Sequence, residues 1–374
     1  MNTLFKPFAL GFLALGLSLS GCEKKEAAPA PTASGSTSGA ARTPSSSPAP
    51  GATDAAAPAR AATGGAAPAV APGAKRALVI GVIAKSSGNP VFQAARTGAE
   101  DAARDLSAKY GIDIKADWKT PVSEDAQKQA QFMEQLVSQG VDGIAISCSD
   151  GQVLQKSIDD AVGKGVVVVT FDSDSPSSKR MAYFGINDVD AGKAVMDELA
   201  KAMGTGGPVA ILSGNQTAPN LNARIEGVKQ RLEALKDKGF TLKQVYNTKE
   251  VPADAANLVQ QVATANPEIA GWAMVGGWPL FTQNALDGVN AKVVSVDTLP
   301  EQLEYLKSGK VQALIGQDCY GWGYQSVVML VEKLHEGKNP PAVVNNFKLA
   351  VVTKDNVAEY EGLWQKWLGK KSGN

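Results

Sequence analysis

Residues 82–102 read VIAKSSGNPVFQAARTGAEDA, and residues 210–230 read AILSGNQTAPNLNARIEGVKQ. Each stretch runs from an apolar strand through a short Ser-Gly-Asn loop into a helix, so the chain repeats one strand–loop–helix unit in two halves. Around these units the same alternation continues. Strand-length apolar runs occupy 76–83, 112–118, 141–147, 165–171 and 181–186 in the first half, and 208–214, 240–246, 270–276, 291–297 and 311–318 in the second. Between them, amphipathic spacing predicts helices over 91–109, 124–139, 152–164, 189–202, 221–238, 253–266, 299–308 and 321–335. Strands that alternate with helices build parallel sheets covered on both faces, and the uniform apolarity of these strands agrees with burial on both sides. The expected fold is α/β, with two doubly wound parallel-sheet lobes. Ligands of such sheets bind beyond the carboxyl ends of the strands, so those ends are the places to look for function.

The chain has 374 residues, not all of which suit a packed core. Residues 1–22, MNTLFKPFALGFLALGLSLSGC, carry Lys6 ahead of an apolar stretch from Phe8 to Leu19. That stretch is too short for a permanent span and fits an export signal. Leu19-Ser20-Gly21-Cys22 resembles a bacterial lipobox, which makes Cys22 the expected lipidation site and 1–22 a lipoprotein signal peptide. With Glu23 rather than Asp after the cysteine, an outer membrane is favoured over an inner one where the cell has two. Residues 23–75 are expected to be a disordered tether: from Ala27 to Gly73 they are almost entirely Ala, Pro, Ser, Thr and Gly, too poor in large apolar residues to offset the entropy of ordering. Extended, such a tether reaches at most roughly 150 Å. About 300 residues remain, enough for two domains.

Basic and acidic residues balance at 37 each, with no basic block to attract nucleic acid. His335 is the single histidine, and no Cys/His spacing suits zinc. Neither a metal nor a cofactor is expected.

At the strand ends stand Asn89-Pro90-Val91-Phe92, Ser147-Cys148, Asp172-Ser173-Asp174, Trp278 in a Gly-Gly-x-Pro loop, Asp297, and Gln317-Asp318. Asn89 is equally a helix-start residue, and Phe92 equally core. Arg224 lies one turn from Leu221 and Val228, on the edge of an apolar helical stripe, where a guanidinium needs an oxygen partner. Thr298-x-x-Glu301 matches a capping box, so Thr298 is expected to cap the next helix and leave Asp297 free. Carboxylates, amides, one guanidinium and aromatic rings together are the chemistry of a sugar site: planar polar groups grip hydroxyls, and a ring stacks on the C–H face. No activated nucleophile accompanies them. Asp172-Ser173-Asp174 resembles the Asp-x-Asp of metal-dependent glycosyltransferases, but no other catalytic element supports an enzyme.

These residues carry a resemblance. In order and spacing, Asn89-Pro90-Val91-Phe92, Asp172, Arg224-Ile225-Glu226-Gly227-Val228, Asp297 and Gln317 resemble the pattern of the ribose-binding-protein family, the type I periplasmic sugar-binding proteins of ABC importers. The resemblance covers about residues 76–352. It implies two lobes joined by three hinge crossings, with 76–186 and 318–346 in the first and 187–317 and 347–374 in the second. It also implies a cleft that closes on a ligand, as a population shift. In that family Asp172 and Asp297 would accept from hydroxyls, Arg224 and Gln317 would donate, Phe92 would stack, and Asn187 would lie near the first crossing. Asn89, Ser173 and Trp278 complete the expected ligand-binding set. Ribose binders carry an aromatic residue where Val91 stands and an arginine where Ser173 stands, with asparagines near Ser147 and Gly277. The ligand expected here is therefore another small sugar or polyol. Trp278 is a substitute stacking surface, and Asp174 leaves an amino sugar or a cationic ligand open. The implied partner is an ABC permease, or a chemoreceptor or membrane kinase if the protein is a sensor, and the implied state is a lipid-anchored monomer at the extracytoplasmic face. Cys148 and Cys319 follow strand ends near the cleft in an oxidising compartment, which leaves a disulfide between them open. A lactose-repressor-type regulator shares the fold but has a DNA-binding headpiece and lacks an export signal.

Overall fold

The computed structural model describes residues 77–369; the signal, Cys22 and the tether lie outside them. From the first described strand the chain runs β1 (Leu78–Ile83), α1 (Val91–Tyr110), β2 (Ile114–Trp118), α2 (Ala126–Ser138), β3 (Gly143–Ile146), α3 (Gly151–Gly163), β4 (Val167–Phe171) and β5 (Ala182–Gly185). It then crosses to α4 (Asp188–Met203), β6 (Gly207–Ser213), α5 (Pro219–Ala234), β7 (Phe240–Asn247), α6 (Pro252–Ala265), β8 (Gly271–Met274), β9 (Lys292–Val296), α7 (Pro300–Ser308) and β10 (Ala313–Gly316). The last elements are α8 (Cys319–Val331), β11 (Val344–Asn346), β12 (Ala350–Val352) and α9 (Val357–Gly369).

These strands form two six-stranded sheets, ordered β11-β5-β4-β3-β1-β2 and β12-β10-β9-β8-β6-β7. The two orders superimpose if β1 is matched with β6, β2 with β7, and so on. They differ at one edge: β11 runs parallel to β5, whereas β12 runs antiparallel to β10. The chain passes between the sheets three times, after β5, after β10 and between β11 and β12. The central strands β3, β8 and β10 are buried at every residue, as parallel strands covered on both faces must be.

The crossings exchange helices. α4 follows a first-sheet strand but packs on α5, β8 and β9 of the second lobe; α8 follows a second-sheet strand but packs on α1, β3 and β4 of the first. Paired glycines allow both contacts. A Cβ on Gly192 would fall 1.9 Å from the Arg224 carbonyl oxygen, and one on Gly227 would fall 2.0 Å from that of Val189. In the first lobe, Gly98 faces the Tyr320 carbonyl at 2.0 Å and Gly323 faces that of Ala95 at 1.8 Å. Arg224-x-x-Gly227 thus does two jobs in one turn: the arginine reaches the cleft while the glycine seats α4.

The strand–helix alternation is as the sequence predicts, with shifts at the ends. A helix of thirteen residues follows the region of resemblance: α9 packs on α1 and α7 and buries Trp364 and Trp367. The Trp367 ring stacks on Tyr320 at 6.2 Å, and Trp364 Nε1 donates to Thr298 Oγ1 at 3.2 Å. Thr298 therefore does not cap α7. Pro300 takes the first helical position, the start moves one residue on, and the Gln302 side chain accepts from the Leu299 N–H at 3.0 Å. Cys148 and Cys319 are both buried free thiols, so the disulfide left open by the sequence is not formed. Among the described residues no helix is long and apolar enough to cross a membrane.

Candidate functional site

Two aspartates end equivalent strands of the two sheets, and both adopt left-handed backbone: Asp172 after β4 at φ 56° and Asp297 after β9 at φ 75°. Non-glycine residues avoid this region unless the surroundings hold them there, and such strain gathers at functional sites. Backbone hydrogen bonds do the holding, from Asp172 N–H to the Phe184 carbonyl at 3.1 Å and from Asp297 N–H to that of Ile315 at 2.9 Å. The Tyr183 hydroxyl also donates to the Asp172 carbonyl at 3.0 Å.

Both carboxylates are buried, and each has neutral donors. Ser147 Oγ donates to Asp172 Oδ2 at 2.7 Å, and Asn220 Nδ2, from α5 of the other lobe, donates to Oδ1 at 3.2 Å. Gln317 Nε2 donates to Asp297 Oδ1 at 2.6 Å. Arg224, 3 % exposed, joins the crossings: Nε donates to Asp188 Oδ1 at 2.8 Å, one terminal nitrogen to the Val275 carbonyl at 3.1 Å and the other to Gln317 Oε1 at 3.0 Å. A continuous chain of polar groups, Asp188–Arg224–Gln317–Asp297, thus links the first two crossings to the second lobe. Burial opposes the charge on Arg224, but Asp188, Asp172 and Asp297 outweigh it and raise its pKa. Burial lifts the Asp188 carboxyl to about 7 despite Arg224, and it raises Asp297 as well.

The other predicted residues sit differently. Phe92 is core, its ring 6.1 Å from Trp322. Trp278 is 4 % exposed and lies against Gly276 within the second-lobe core. Asn89 Oδ1 accepts from the Val91 N–H at 3.3 Å, the helix-start role. Ser173 is buried, and its hydroxyl has no hydrogen-bond partner among the described residues. Asp174, which left a cationic ligand open in the sequence, is occupied. Arg180 Nε and a terminal nitrogen both engage its carboxylate, Thr170 Oγ1 donates to it at 2.5 Å, and the Ser175 N–H donates at 2.7 Å. It serves the first lobe's architecture. Asn187 caps α4 through the Asp190 N–H at 3.2 Å, and its neighbour Asp188 meets the arginine.

Sequence reasoning missed Lys85, Glu124, Asn215, Asn220 and Glu250. Lys85 stands two residues beyond β1 and is 3 % exposed; its Nζ lies 2.9 Å from Glu124 Oε1 and 3.9 Å from Glu250 Oε2. Burial alone would lower the Lys85 pKa, but Glu124, Glu250 and Asp172 raise it. The strand-end rule applied strictly would have found Lys85, and helical spacing from Arg224 would have found Asn220 one turn earlier. Two grooves flank the lips of the cleft. One, of about 440 Å³, is lined by Asp150, Ser175, Gln216 and Asn222; the other, of about 600 Å³, by Glu124, Asn215, Thr248 and Val251. Among the described residues no cluster of His, Cys, Asp and Glu suits a metal ion.

Comparison with known proteins places this arrangement. Residues 80–339 match the periplasmic binding protein domain. The chain is 25% identical over 262 residues to the ribose import binding protein of Bacillus subtilis, spanning 66% of this chain and 78% of that one. An ABC transporter solute-binding protein from Burkholderia graminis, solved with D-arabinose, is 31% identical, with a TM-score of 0.69 over 76% of this chain and 97% of that one. A XylFII–LytSN complex supplies a further neighbour, 25% identical with a TM-score of 0.67 over 75% of this chain and 99% of that one. Family members are binding proteins rather than enzymes. Two matching sheets, three crossings, and polar strand ends gathered between them agree with the matched domain: the chain belongs to the periplasmic binding protein family.

Proposed function

We propose that the protein captures a small sugar or polyol between its lobes, tethered to the cell envelope through a lipid on Cys22, and delivers it to an ABC permease. The observation that carries this reading is the buried planar set Asp172, Asn220, Arg224, Gln317 and Asp297, drawn from both lobes and the second crossing, with Asp188 of the first crossing held to Arg224. Carboxylates and amides accept and donate in fixed planes, as hydroxyl groups require, and a dry cleft strengthens each charge-assisted bond. The names of the relatives, a ribose importer's binding protein and one solved with D-arabinose, support a monosaccharide as the class. Ser173 in place of an arginine, and Asp174 bound to Arg180, support a neutral ligand other than ribose. The proposed ligand contacts are Asp172, Ser173, Arg224, Asp297 and Gln317, with Lys85 and Asn220 added; Asn89, Phe92 and Trp278, which the fold uses for a helix start and for core packing, complete the proposed set from behind them. The proposed lobes are 76–186 with 318–346, and 187–317 with 347–374, acting as a monomer. In a second reading the same liganded lobes are presented to a chemoreceptor or membrane kinase; that a XylFII neighbour is solved in complex with LytSN supports a protein partner.

A thermal-shift panel of pentoses, hexoses, sugar alcohols, amino sugars and nucleosides tests the site. A ligand at 100 times its Kd stabilises the fold by about 2.7 kcal/mol. A panel with no shift overturns the reading. Release of the protein from membranes by Cys22→Ala tests the anchor.

A further inference from the structure

At the mouth of the cleft the two lobes present equivalent loops to each other. Glu124 stands two residues before α2, and Glu250 stands two residues before α6; α2 and α6 each follow the second strand of their own lobe. Lys85 and Asn215 likewise stand two residues beyond the equivalent strands β1 and β6. Within each lobe the pair is joined: Lys85 Nζ lies 2.9 Å from Glu124 Oε1, and the Asn215 N–H donates to Glu250 Oε1 at 2.8 Å. Between lobes the pairs cross: Lys85 Nζ lies 3.9 Å from Glu250 Oε2, and Asn215 Nδ2 lies 3.5 Å from Glu124 Oε2 and 3.2 Å from the Ser149 carbonyl. The Lys85 ammonium thus bridges the two carboxyls across the mouth.

The second lobe is shaped for this contact. Glu250 is held at φ 63°, and its side chain fills the space beside Gly214, where a Cβ would fall 2.4 Å from Glu250 Oε1. One ammonium cannot balance two buried carboxyls, so burial favours a proton on Glu250.

We propose that Glu250, set across the mouth from Lys85 and Glu124, forms a proton-operated latch: the lobes close with a proton on Glu250, and loss of that proton opens them. The groups that face Glu250 are Lys85 from the end of β1, Glu124 from the loop before α2, and the Asn215 amide; Asp172 acts on it through Lys85. Lys249, its chain neighbour, is exposed. Burial, joined by Glu124 and opposed by Lys85, pushes the Glu250 carboxyl up to about 7 in this conformation. Opened to water, it returns to the ordinary range near about 4.3. The closed form therefore binds the extra proton between those values. Closure is favoured at low pH and weakens as pH rises through about 7.

The test needs no sugar, so it stands apart from the ligand assignment. Spin labels at Gln152→Cys and Glu226→Cys, in a Cys22→Ser background, report the distance between the lobes; Cys148 and Cys319 are buried and stay unlabelled. The closed-to-open ratio of the ligand-free chain should rise about tenfold from pH 8 to pH 6. Glu250→Gln, which keeps the acceptor for Asn215, should give the same ratio at both pH values, and Glu124→Gln, which removes the like charge facing Glu250, should weaken the response. A wild-type ratio that ignores pH, or a full response retained in either variant, overturns the latch.

Discussion

Among the described residues each lobe contains one buried arginine paired with an aspartate, and the two pairs differ in purpose. In the first lobe, Arg180 and Asp174 close on each other with help from Thr170 and Ser175, all within one strand–turn segment. In the second, Arg224 spends one bond on Asp188 and directs the rest toward Val275 and Gln317, joining an incoming crossing to a strand end. The same chemistry is self-satisfied in one lobe and shared across the hinge in the other. A buried ion pair is therefore not in itself a mark of a binding site; what distinguishes Arg224 is that its partners lie on different crossings.

The sharpest way to break this comparison is to remove each arginine. Breaking a buried pair costs about 3–5 kcal/mol, because a charge is left unpartnered. Arg180→Met and Arg224→Met should both lower stability by that order in chemical denaturation. Only Arg224→Met should also abolish the ligand-induced melting shift; an equal loss in Arg180→Met would mean that Asp174 faces the ligand after all.

Next in size is the helix exchange. Gly227→Ala and Gly98→Ala both place a methyl against backbone oxygen, and overpacking of this kind costs about 1–3 kcal/mol. The pair should match in stability while Gly227→Ala also weakens ligand binding, since its helix carries Arg224 and Asn220.

Asp188 offers a test by pH. Its carboxyl is raised to about 7 in the folded protein, from about 3.9 for a free aspartate. The native state thus binds more protons than the unfolded state between those values, so this group's contribution to stability falls as pH rises from about 4 to 7. Asp188→Asn, still an acceptor for Arg224, should flatten that part of the stability profile. The smallest effect expected is Thr298→Val, which leaves the buried Trp364 indole without its acceptor and should cost about 1 kcal/mol.

Much of this was legible in advance, for physical reasons. Parallel strands buried on both faces write themselves as apolar runs, and the ligand edge of such sheets is known once the strands are, so Asp172, Asp297 and Gln317 stood out. Arg224 stood out by its position on an apolar stripe. What stayed hidden depends on contacts far apart in the chain. Lys85 looks like a loop lysine until Glu124 and Glu250 are folded around it. Strands β11 and β12 have three residues each and carry no periodicity. The capping box at Thr298 looked complete until Trp364, 66 positions later, claimed the hydroxyl. Phe92 and Trp278 could be core or platform from their sequence alone, and the structure buries both.

The exchange of α4 and α8 bears on how the chain matures. As residues emerge in order during synthesis, the first sheet can gather β1 to β5 early, but the helix that covers one of its faces is α8, residues 319–331. The second sheet has α4 beforehand yet waits for β12 at its edge and for α9. Neither core can be sealed until α8 and the elements that follow it are available. Half-made chains lack these covers, and residues 319–369, which carry α8, β11, β12 and α9, supply them to both halves.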